Sequence, residues 1–246
     1  MKTFSLSVLL VGVLLTSGAA YAAGTTHWTY SGEEGPESWA RLTPEFGACA
    51  GRNQSPINLA GFIEADLKPI KISYRAGGNE ILNNGHTVQV NYVAGSNISV
   101  DGIQFDLKQF HFHAPSENHI NGKSYAMEAH LVHADKDGNL AVVALMFKEG
   151  DENKELTKIW PLIPKNAGEK TALPSPFSVA QLLPSSRHYY RFNGSLTTPP
   201  CTEGVRWLVM KKPVSASKKQ VEAFSHLMRH PNNRPVQPVN ARPVLQ

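Results

Sequence analysis

The sequence has little cysteine and only moderate charge. Among 246 residues there are two cysteines, Cys49 and Cys201, and charged residues make up 18% of the chain. Neither cysteine has a partner at Cys-x-x-Cys spacing, which argues against a cysteine-based metal site. The net charge of +4 is mild, and basic pairs such as Lys211-Lys212 and Lys218-Lys219 are short. We therefore expect no nucleic-acid partner.

Long hydrophobic runs are also missing, apart from one near the N-terminus. Lys2 precedes an almost entirely apolar run over residues 6–15, and Ala20-Tyr21-Ala22 follows it. The run is too short to cross a bilayer, so the pattern predicts a cleavable secretory signal peptide over residues 1–22. A retained membrane anchor is the alternative. We expect a periplasmic or secreted protein with no stable membrane anchor.

The remaining residues, 23–246, show no internal repeat and no low-complexity linker. This favours a single domain. In an exported protein, an even number of cysteines indicates a disulfide, here between Cys49 and Cys201. Two free thiols are the alternative.

Alternating apolar and polar residues predict a mainly β protein of the α+β class. Asn-Gly and Asp-Gly turns separate the segments, and helices are few. A short helix capped by Asp151 is predicted to end at Ile159, and a longer one begins near Ser215 or Ser217 and ends before Pro231. The predicted strands span residues 69–74, 86–93, 97–100, 103–114, 125–134, 140–147, 188–192 and 205–211.

Histidines in two of these strands predict a metal site. Side chains two positions apart share one face of a strand, so Gln109, His111 and His113 lie together. In the second strand Glu128 and His130 share a face, whereas His133 lies on the other.

Three imidazoles with an open fourth position are the ligand set of a catalytic zinc ion. Gln109 and Glu128 are placed to accept the second ring N–H of His111 and His130, which would fix the orientation of the ligands. The alternative is that His-x-His occurs here by chance, as ordinary surface or core histidines.

Blocks along nearly the whole of residues 23–246 carry a resemblance to one family. They are His27-Trp28-x-Tyr30, Gly35-Pro36-Glu37-x-Trp39, Asn53-Gln54-Ser55-Pro56-Ile57-Asn58, Asn83-Asn84-Gly85-His86-Thr87, residues 109–113, residues 128–133, Gly194-Ser195-Leu196-Thr197-Thr198-Pro199-Pro200-Cys201 and Asn232-Asn233-Arg234-Pro235-Val236-Gln237-Pro238. With these blocks the chain resembles the α-class carbonic anhydrases, in particular their exported bacterial members.

The resemblance implies a single domain around a large, twisted, mostly antiparallel central β-sheet with a few short peripheral helices. It also implies reversible hydration of CO2 to bicarbonate and a proton by attack of zinc-bound hydroxide. His111, His113 and His130 would hold Zn²⁺.

Roles for further residues follow from the same resemblance. Thr197 would accept a hydrogen bond from the zinc-bound hydroxide and donate one to Glu117, and Thr198 would line the bicarbonate site. His86 would carry protons to buffer, helped by water that Tyr30 orders. The CO2 pocket would be apolar, formed by Val132, Val142, Leu196, Val205 and Trp207.

Two departures from the family pattern stand beside the catalytic residues. Asn118 follows Glu117 where many members have histidine, and Ala114 follows His113 where animal members often have tryptophan. We expect the Glu117 network to survive with a different hydrogen-bond partner. Cys49 and Cys201 match the disulfide of exported members, which would tether the catalytic loop.

Other functions remain alternatives at this point. A catalytically silent binding protein usually lacks a zinc histidine, whereas His111, His113 and His130 are all present here. Ester hydrolysis is a side activity that the same nucleophile would support, and a zinc-buffering protein would be richer in flexible histidine or acidic tracts. Exported relatives can be dimers, so a homodimer is an alternative to a monomer.

Overall fold

The structure is a computed structural model and describes residues 26–246. The predicted signal peptide over residues 1–22 lies outside the described residues. Among residues 26–246, no helix is both long enough and apolar enough to span a membrane.

Strands dominate the described chain, and the helices are short. The α-helices are α1 (Trp39–Leu42), α2 (Lys154–Ile159) and α3 (Lys218–Met228). The strands are β1 (Asn58–Leu59), β2 (Lys71–Ser73), β3 (Gly78–Asn83), β4 (Val88–Tyr92), β5 (Asn97–Val100), β6 (Ile103–His113), β7 (His119–Ile120), β8 (Met127–Ala134), β9 (Leu140–Glu149), β10 (Lys170–Phe177), β11 (Tyr189–Ser195), β12 (Glu203–Met210) and β13 (Val214–Ala216).

One 11-stranded sheet organises the molecule, in the order β10-β3-β4-β6-β8-β9-β12-β11. Strand β5 pairs with β6 and with β2, and β13 continues beside β9. All pairs in this sheet are antiparallel except β9 with β12 and β9 with β13. The predicted fold, a large and mostly antiparallel sheet in one domain, is confirmed.

The two faces of the sheet pack into different apolar clusters, because alternate side chains point in opposite directions. On β9, Val143, Leu145 and Phe147 enter one large apolar cluster, and Val142 and Ala144 enter a smaller cluster on the other face. The large cluster is covered in part by α2, α3 and Trp160. The histidine-bearing face of β6 and β8 adjoins the smaller cluster.

Five strands escaped the sequence prediction: the short β1, β7 and β13, and the longer β3 and β10, which pair with each other. Strand β10 contains Pro174 and Pro176, which lack an N–H for a ladder. It pairs with β3 over Lys170–Ala172, is interrupted across residues 173–176, and resumes at Phe177 opposite Gly78. Its position at the edge of the sheet is where proline is tolerated.

The helix caps correct one prediction and resolve another. Helix α2 begins at Lys154 with Asn153 as its cap, because the Asn153 side chain accepts from the N–H groups of Glu155 and Leu156. The prediction that Asp151 caps this helix was wrong. For α3 the cap is Ser217, in a capping box with Gln220.

The described chain contains a disulfide between Cys49 and Cys201, which are 152 residues apart in sequence. It joins the 3-10 helix Pro44–Ala50, which precedes β1, to the loop between β11 and β12. The pairing predicted from the sequence is confirmed.

Candidate metal centre

Three histidines converge on one face of the sheet. Strands β6 and β8 are antiparallel neighbours, and His111 lies directly opposite His130 in their register. His113 lies two positions beyond His111, on the same face of β6. One nitrogen of each ring falls within 4.8 Å of the others. His113 and His130 are buried, and His111 is half-buried.

Each ring has one nitrogen occupied by a hydrogen-bond partner. His111 Nδ1 is 2.8 Å from Gln109 Oε1, and His130 Nε2 is 2.9 Å from Glu128 Oε1. Gln109 and Glu128 therefore lie where the sequence predicts them. Gln109 and Glu128 each engage one ring nitrogen, which leaves His111 Nε2 and His130 Nδ1 available to a metal.

The third ring is held by a residue that the sequence analysis missed. His113 Nδ1 donates to the backbone carbonyl of Asn232 at 2.6 Å. Its Nε2 is buried and has no hydrogen-bond partner within residues 26–246. Because Asn232 lies 119 residues further along the chain and acts through its backbone, no local pattern could have revealed it.

The electrostatics of the centre keep the rings neutral. Burial is the largest cause that lowers the pKa of His111, His113 and His130. Repulsion from neighbouring histidines lowers the pKa of His111 and His130 further. Neutral imidazole is the form that binds a metal. Three neutral nitrogens, one of them buried without a partner, fit a zinc ion with an open fourth position.

Glu117 lies beside this cluster and is completely buried. Its Oε1 accepts from the Arg234 backbone N–H at 2.9 Å. Its Oε2 lies 3.5 Å from His113 Nε2 and 3.8 Å from His130 Nδ1. Burial raises the pKa of Glu117, while the Arg234 N–H and the nearby Thr197 hydroxyl lower it.

The predicted contact between Thr197 and Glu117 is only partly visible. Glu117 Oε2 has no partner of ordinary hydrogen-bond geometry within residues 26–246, although Thr197 is close enough to affect the pKa of the carboxyl. Thr197 is buried and Thr198 half-buried in the loop that follows β11. The Thr198 carbonyl accepts from the Cys201 N–H at 2.8 Å, next to the disulfide.

Asn118 completes the support of Glu128. Its side-chain Nδ2 donates to Glu128 Oε1 at 2.7 Å, and its Oδ1 accepts from the Ile57 N–H at 3.1 Å. Glu128 Oε2 accepts from the backbone N–H groups of Glu117 and Asn118. The network thus has a well-paired amide at the position where many family members have histidine.

His86 and Tyr30 lie close together at the edge of the centre. The His86 ring stacks on Trp28 with centroids 3.7 Å apart, and the Tyr30 centroid is 6.5 Å from it. His86 is half-buried, and burial followed by repulsion from His27 and His230 lowers its pKa. The lowered pKa favours the neutral form of the imidazole, which can accept a proton.

The residues predicted to line the CO2 pocket belong to one apolar cluster. Val142, Val205 and Trp207 are buried in it, and Val132 and Leu196 pack against it partly buried. Trp207 lies against the centre, with its ring centroid 4.8 Å from that of His130. An apolar cluster therefore adjoins the histidine cluster.

Comparisons with known proteins point in one direction. Residues 34–246 match the family model described as eukaryotic-type carbonic anhydrase. The chain is 45% identical over 243 residues to a carbonic anhydrase of Pectobacterium atrosepticum, covering 98% of each chain.

Two solved structures are also similar. The α-carbonic anhydrase of Thermovibrio ammonificans, in complex with the inhibitor sulfanilamide, has 50% identity and a TM-score of 0.89, over 91% of this chain and 100% of that one. A hyperthermostable carbonic anhydrase from a hydrothermal vent chimney has 55% identity and a TM-score of 0.88, over 89% of this chain and 99% of that one.

Proposed function

The chain belongs to the eukaryotic-type, or α-class, carbonic anhydrase family and is an enzyme of that activity, and we propose that His111, His113 and His130 hold a catalytic Zn²⁺. The observation that carries the proposal is that each of the three rings is hydrogen-bonded at one nitrogen only. Each has one nitrogen engaged by a neighbour, which leaves the other nitrogen toward the cluster. When bound there, zinc supplies a Lewis acid that promotes ionisation of water near neutral pH, an effect for which carbonic anhydrases are the standard example.

The protein's own residues then orient and separate the reactants. Glu117 in its ionised form can only accept hydrogen bonds, so it would accept one from the Thr197 hydroxyl and leave the Thr197 oxygen as an acceptor toward the reacting oxygen. Thr198 would contact bicarbonate. The cluster with Val142, Val205 and Trp207 offers CO2 an apolar surface, which suits a small apolar substrate.

Proton removal is the remaining step of CO2 hydration, because each hydration releases one proton. His86 would accept that proton on a ring nitrogen and pass it to a buffer base. Tyr30, with its buried hydroxyl near Glu117, would hold water between the centre and His86. Hydrolysis of esters is proposed as a side activity of the same site.

Export to the periplasm or medium is proposed as well. The disulfide between Cys49 and Cys201 supports it, since such bonds persist in oxidising compartments. We keep residues 1–22 as the proposed signal peptide and residues 23–246 as the catalytic domain. A homodimer stays a prediction, to be checked by sedimentation.

The test is stopped-flow CO2 hydration by purified mature protein, with zinc content measured and a chelator-stripped sample as control. We expect fast hydration that is lost with the metal and returns when zinc is added. Sulfanilamide, the inhibitor bound to the Thermovibrio relative, should inhibit the zinc-loaded sample. One zinc per chain with hydration at background would instead favour the silent binding protein.

A further inference from the structure

The end of strand β6 runs past its backbone partner on one side. The ladder between β4 and β6 covers three residue pairs and ends where Gln89 lies opposite His111. Beyond this point the Phe112 N–H donates to Thr87 Oγ1 at 3.2 Å, and the Phe112 carbonyl accepts from Asn232 Nδ2 at 2.9 Å. Side chains therefore take over the hydrogen bonds of the strand end.

One residue, Asn232, holds both neighbours of His113 and the ring of His113 itself. Its Oδ1 accepts from the Ala114 N–H at 2.8 Å, and its backbone N–H donates to the Ala114 carbonyl at 3.4 Å. On the other side of His113 its Nδ2 donates to Phe112, and its own carbonyl accepts from His113 Nδ1 at 2.6 Å. The side chain thus fixes the strand on both sides of His113, while the carbonyl fixes the direction of the ring.

The same amide reaches the turn that carries His86. Asn232 Nδ2 also donates to the His86 carbonyl at 3.0 Å, and Asn232 is completely buried. Among short side chains only asparagine offers two donor hydrogens and an acceptor oxygen, and a reversed amide would set its oxygen against two carbonyl oxygens. The pattern of partners therefore specifies both the residue type and its orientation.

Removing this amide would release the strand end at His113. The Ala114 N–H and the His86 carbonyl would each lose a partner. Buried backbone groups without partners are costly, so the chain would shift to pair them again. The three ligand nitrogens lie within 4.8 Å of one another, and zinc binds imidazole nitrogen at about 2 Å, so a small displacement of the ring weakens binding.

A second buried amide, Gln220, is bonded as fully but holds helices instead of the strand end. Its Oε1 accepts from the N–H groups of Asn153 and Ser217 at 2.9 and 3.0 Å. Its Nε2 donates to the Asn153 carbonyl at 2.8 Å and to Thr157 Oγ1 at 3.1 Å. These partners belong to α2, α3 and their caps. Gln220 therefore separates the loss of a buried amide from the loss of support at His113.

We propose that the Asn232 side chain is a positioning residue that holds His113 in its ligand orientation and sets the place of the His86 turn relative to it. This rests on the proposed function, in which His113 binds zinc and His86 accepts the proton. Asn232 acts through the strand on one side and through the turn on the other. One side chain then couples metal retention to proton removal.

The first test measures the zinc-loaded protein without turnover. In Asn232→Ala the backbone carbonyl remains, yet zinc affinity should fall about 10- to 100-fold in competition with a chelating dye, as for other residues that orient zinc ligands. The proton NMR signal of His113 Nδ1–H should move upfield, because its hydrogen bond lengthens. Asn232→Ser, which keeps one hydroxyl donor, is used if the alanine variant does not fold and should shift both readouts in the same direction.

The matched control is Gln220→Ala, which should lower the melting temperature but keep the zinc affinity and the His113 signal of the wild type. A folded Asn232 variant with wild-type affinity and an unshifted signal would overturn the proposal, because the amide would then serve stability alone.

The second test links the side chain to His86 by turnover of zinc-saturated protein at low buffer concentration. Asn232→Ala should lower kcat more than kcat/KM. Adding it to His86→Ala should lower kcat by less than the product of the single effects, because both changes act on one step. Multiplying losses would overturn the link to His86. Wild-type protein that binds no zinc, or shows no zinc-dependent hydration, would overturn the proposed function itself.

Discussion

Strand β8 carries two buried histidines that differ in one respect. His130 and His133 lie three positions apart on opposite faces of the sheet, and burial lowers the pKa of both. Both nitrogens of His133 have partners: Nε2 is 2.8 Å from the Tyr74 hydroxyl, and Nδ1 is 3.2 Å from the Ala141 carbonyl. His130 has a hydrogen-bond partner, Glu128, at only one nitrogen.

The comparison separates a structural histidine from a candidate ligand. Burial alone does not distinguish them, and neither does the direction of the pKa. The distinguishing feature is a ring nitrogen that has no hydrogen-bond partner and that faces other such nitrogens. If this difference separates a metal ligand from a structural residue, changes at His130 should affect metal binding, and changes at His133 should affect stability.

The largest effect is expected from His130→Ala. Removing one of three ligand nitrogens should abolish tight zinc binding and bring CO2 hydration to background, as measured by zinc content and stopped-flow assay. His133→Gln, on the other face, is the matched control and should keep both. A His130→Ala protein that holds zinc and still hydrates CO2 would contradict the ligand assignment.

Acid should affect stability through His133. Its pKa is about 4 in the fold, below the ordinary value of about 6.5, so the unfolded chain binds the proton first as pH falls. The stabilisation is complete above pH 6.5 and is lost as pH falls toward 4, at most about 3 kcal/mol. Urea unfolding of zinc-loaded protein at several pH values measures this loss.

The comparison variant for this prediction is Tyr74→Phe/His133→Phe, which removes the titrating ring without leaving the Tyr74 hydroxyl unpaired. Its stability should fall less steeply than that of the wild type across the same pH range. Parallel curves for the two proteins would show that His133 does not carry the acid sensitivity.

A smaller effect is expected from Glu128→Gln. The carboxylate accepts from His130, from the Asn118 side chain and from two backbone N–H groups, and an amide would direct an N–H group at one of these donors. We expect zinc affinity to fall about 10- to 100-fold in competition with a chelating dye. Glu80→Gln, which changes a carboxylate on β3, should bind zinc as the wild type does; equal affinities in both variants would refute the role of Glu128.

The smallest effect is expected from Tyr74→Phe. It leaves His133 Nε2 buried without a donor, which should lower the free energy of unfolding by about 1–2 kcal/mol. CO2 hydration should be unchanged. Tyr125→Phe, which alters a ring packed against the smaller cluster, serves as control in urea unfolding; an equal loss in both variants would deny the bond to His133 a specific contribution.

Much of the fold was predictable wherever one face of a strand is buried. Strands β6 and β8 show a two-residue alternation, and this periodicity was enough to predict that His111, His113 and His130 lie together. Strand β10 was missed because Pro174 and Pro176 resemble loop residues, and its pairing depends on β3. The position of the cap Asn153 depended on which of two nearby side chains reached the helix N–H groups.

The hydrogen-bond partners of the histidines and of Glu117 were predictable only where the partner is a side chain. Gln109 and Glu128 follow from strand parity with their histidines. The Asn232 carbonyl and the Arg234 N–H do not, because every residue has a carbonyl and nearly every residue an N–H, and only the folded chain brings these two to His113 and Glu117.

The coil around Arg234 also bears on the order in which the molecule assembles. Arg234 bonds to Gln54, Ser55 and Cys49, at separations of 179 to 185 residues. Contacts between such remote residues require a long loop to close, which costs conformational entropy before any contact is gained. During synthesis the three histidines emerge well before the segment that orients His113 and Glu117. The hydrogen bonds that orient His113 and Glu117 can therefore form only after Asn232 and Arg234 have been synthesised.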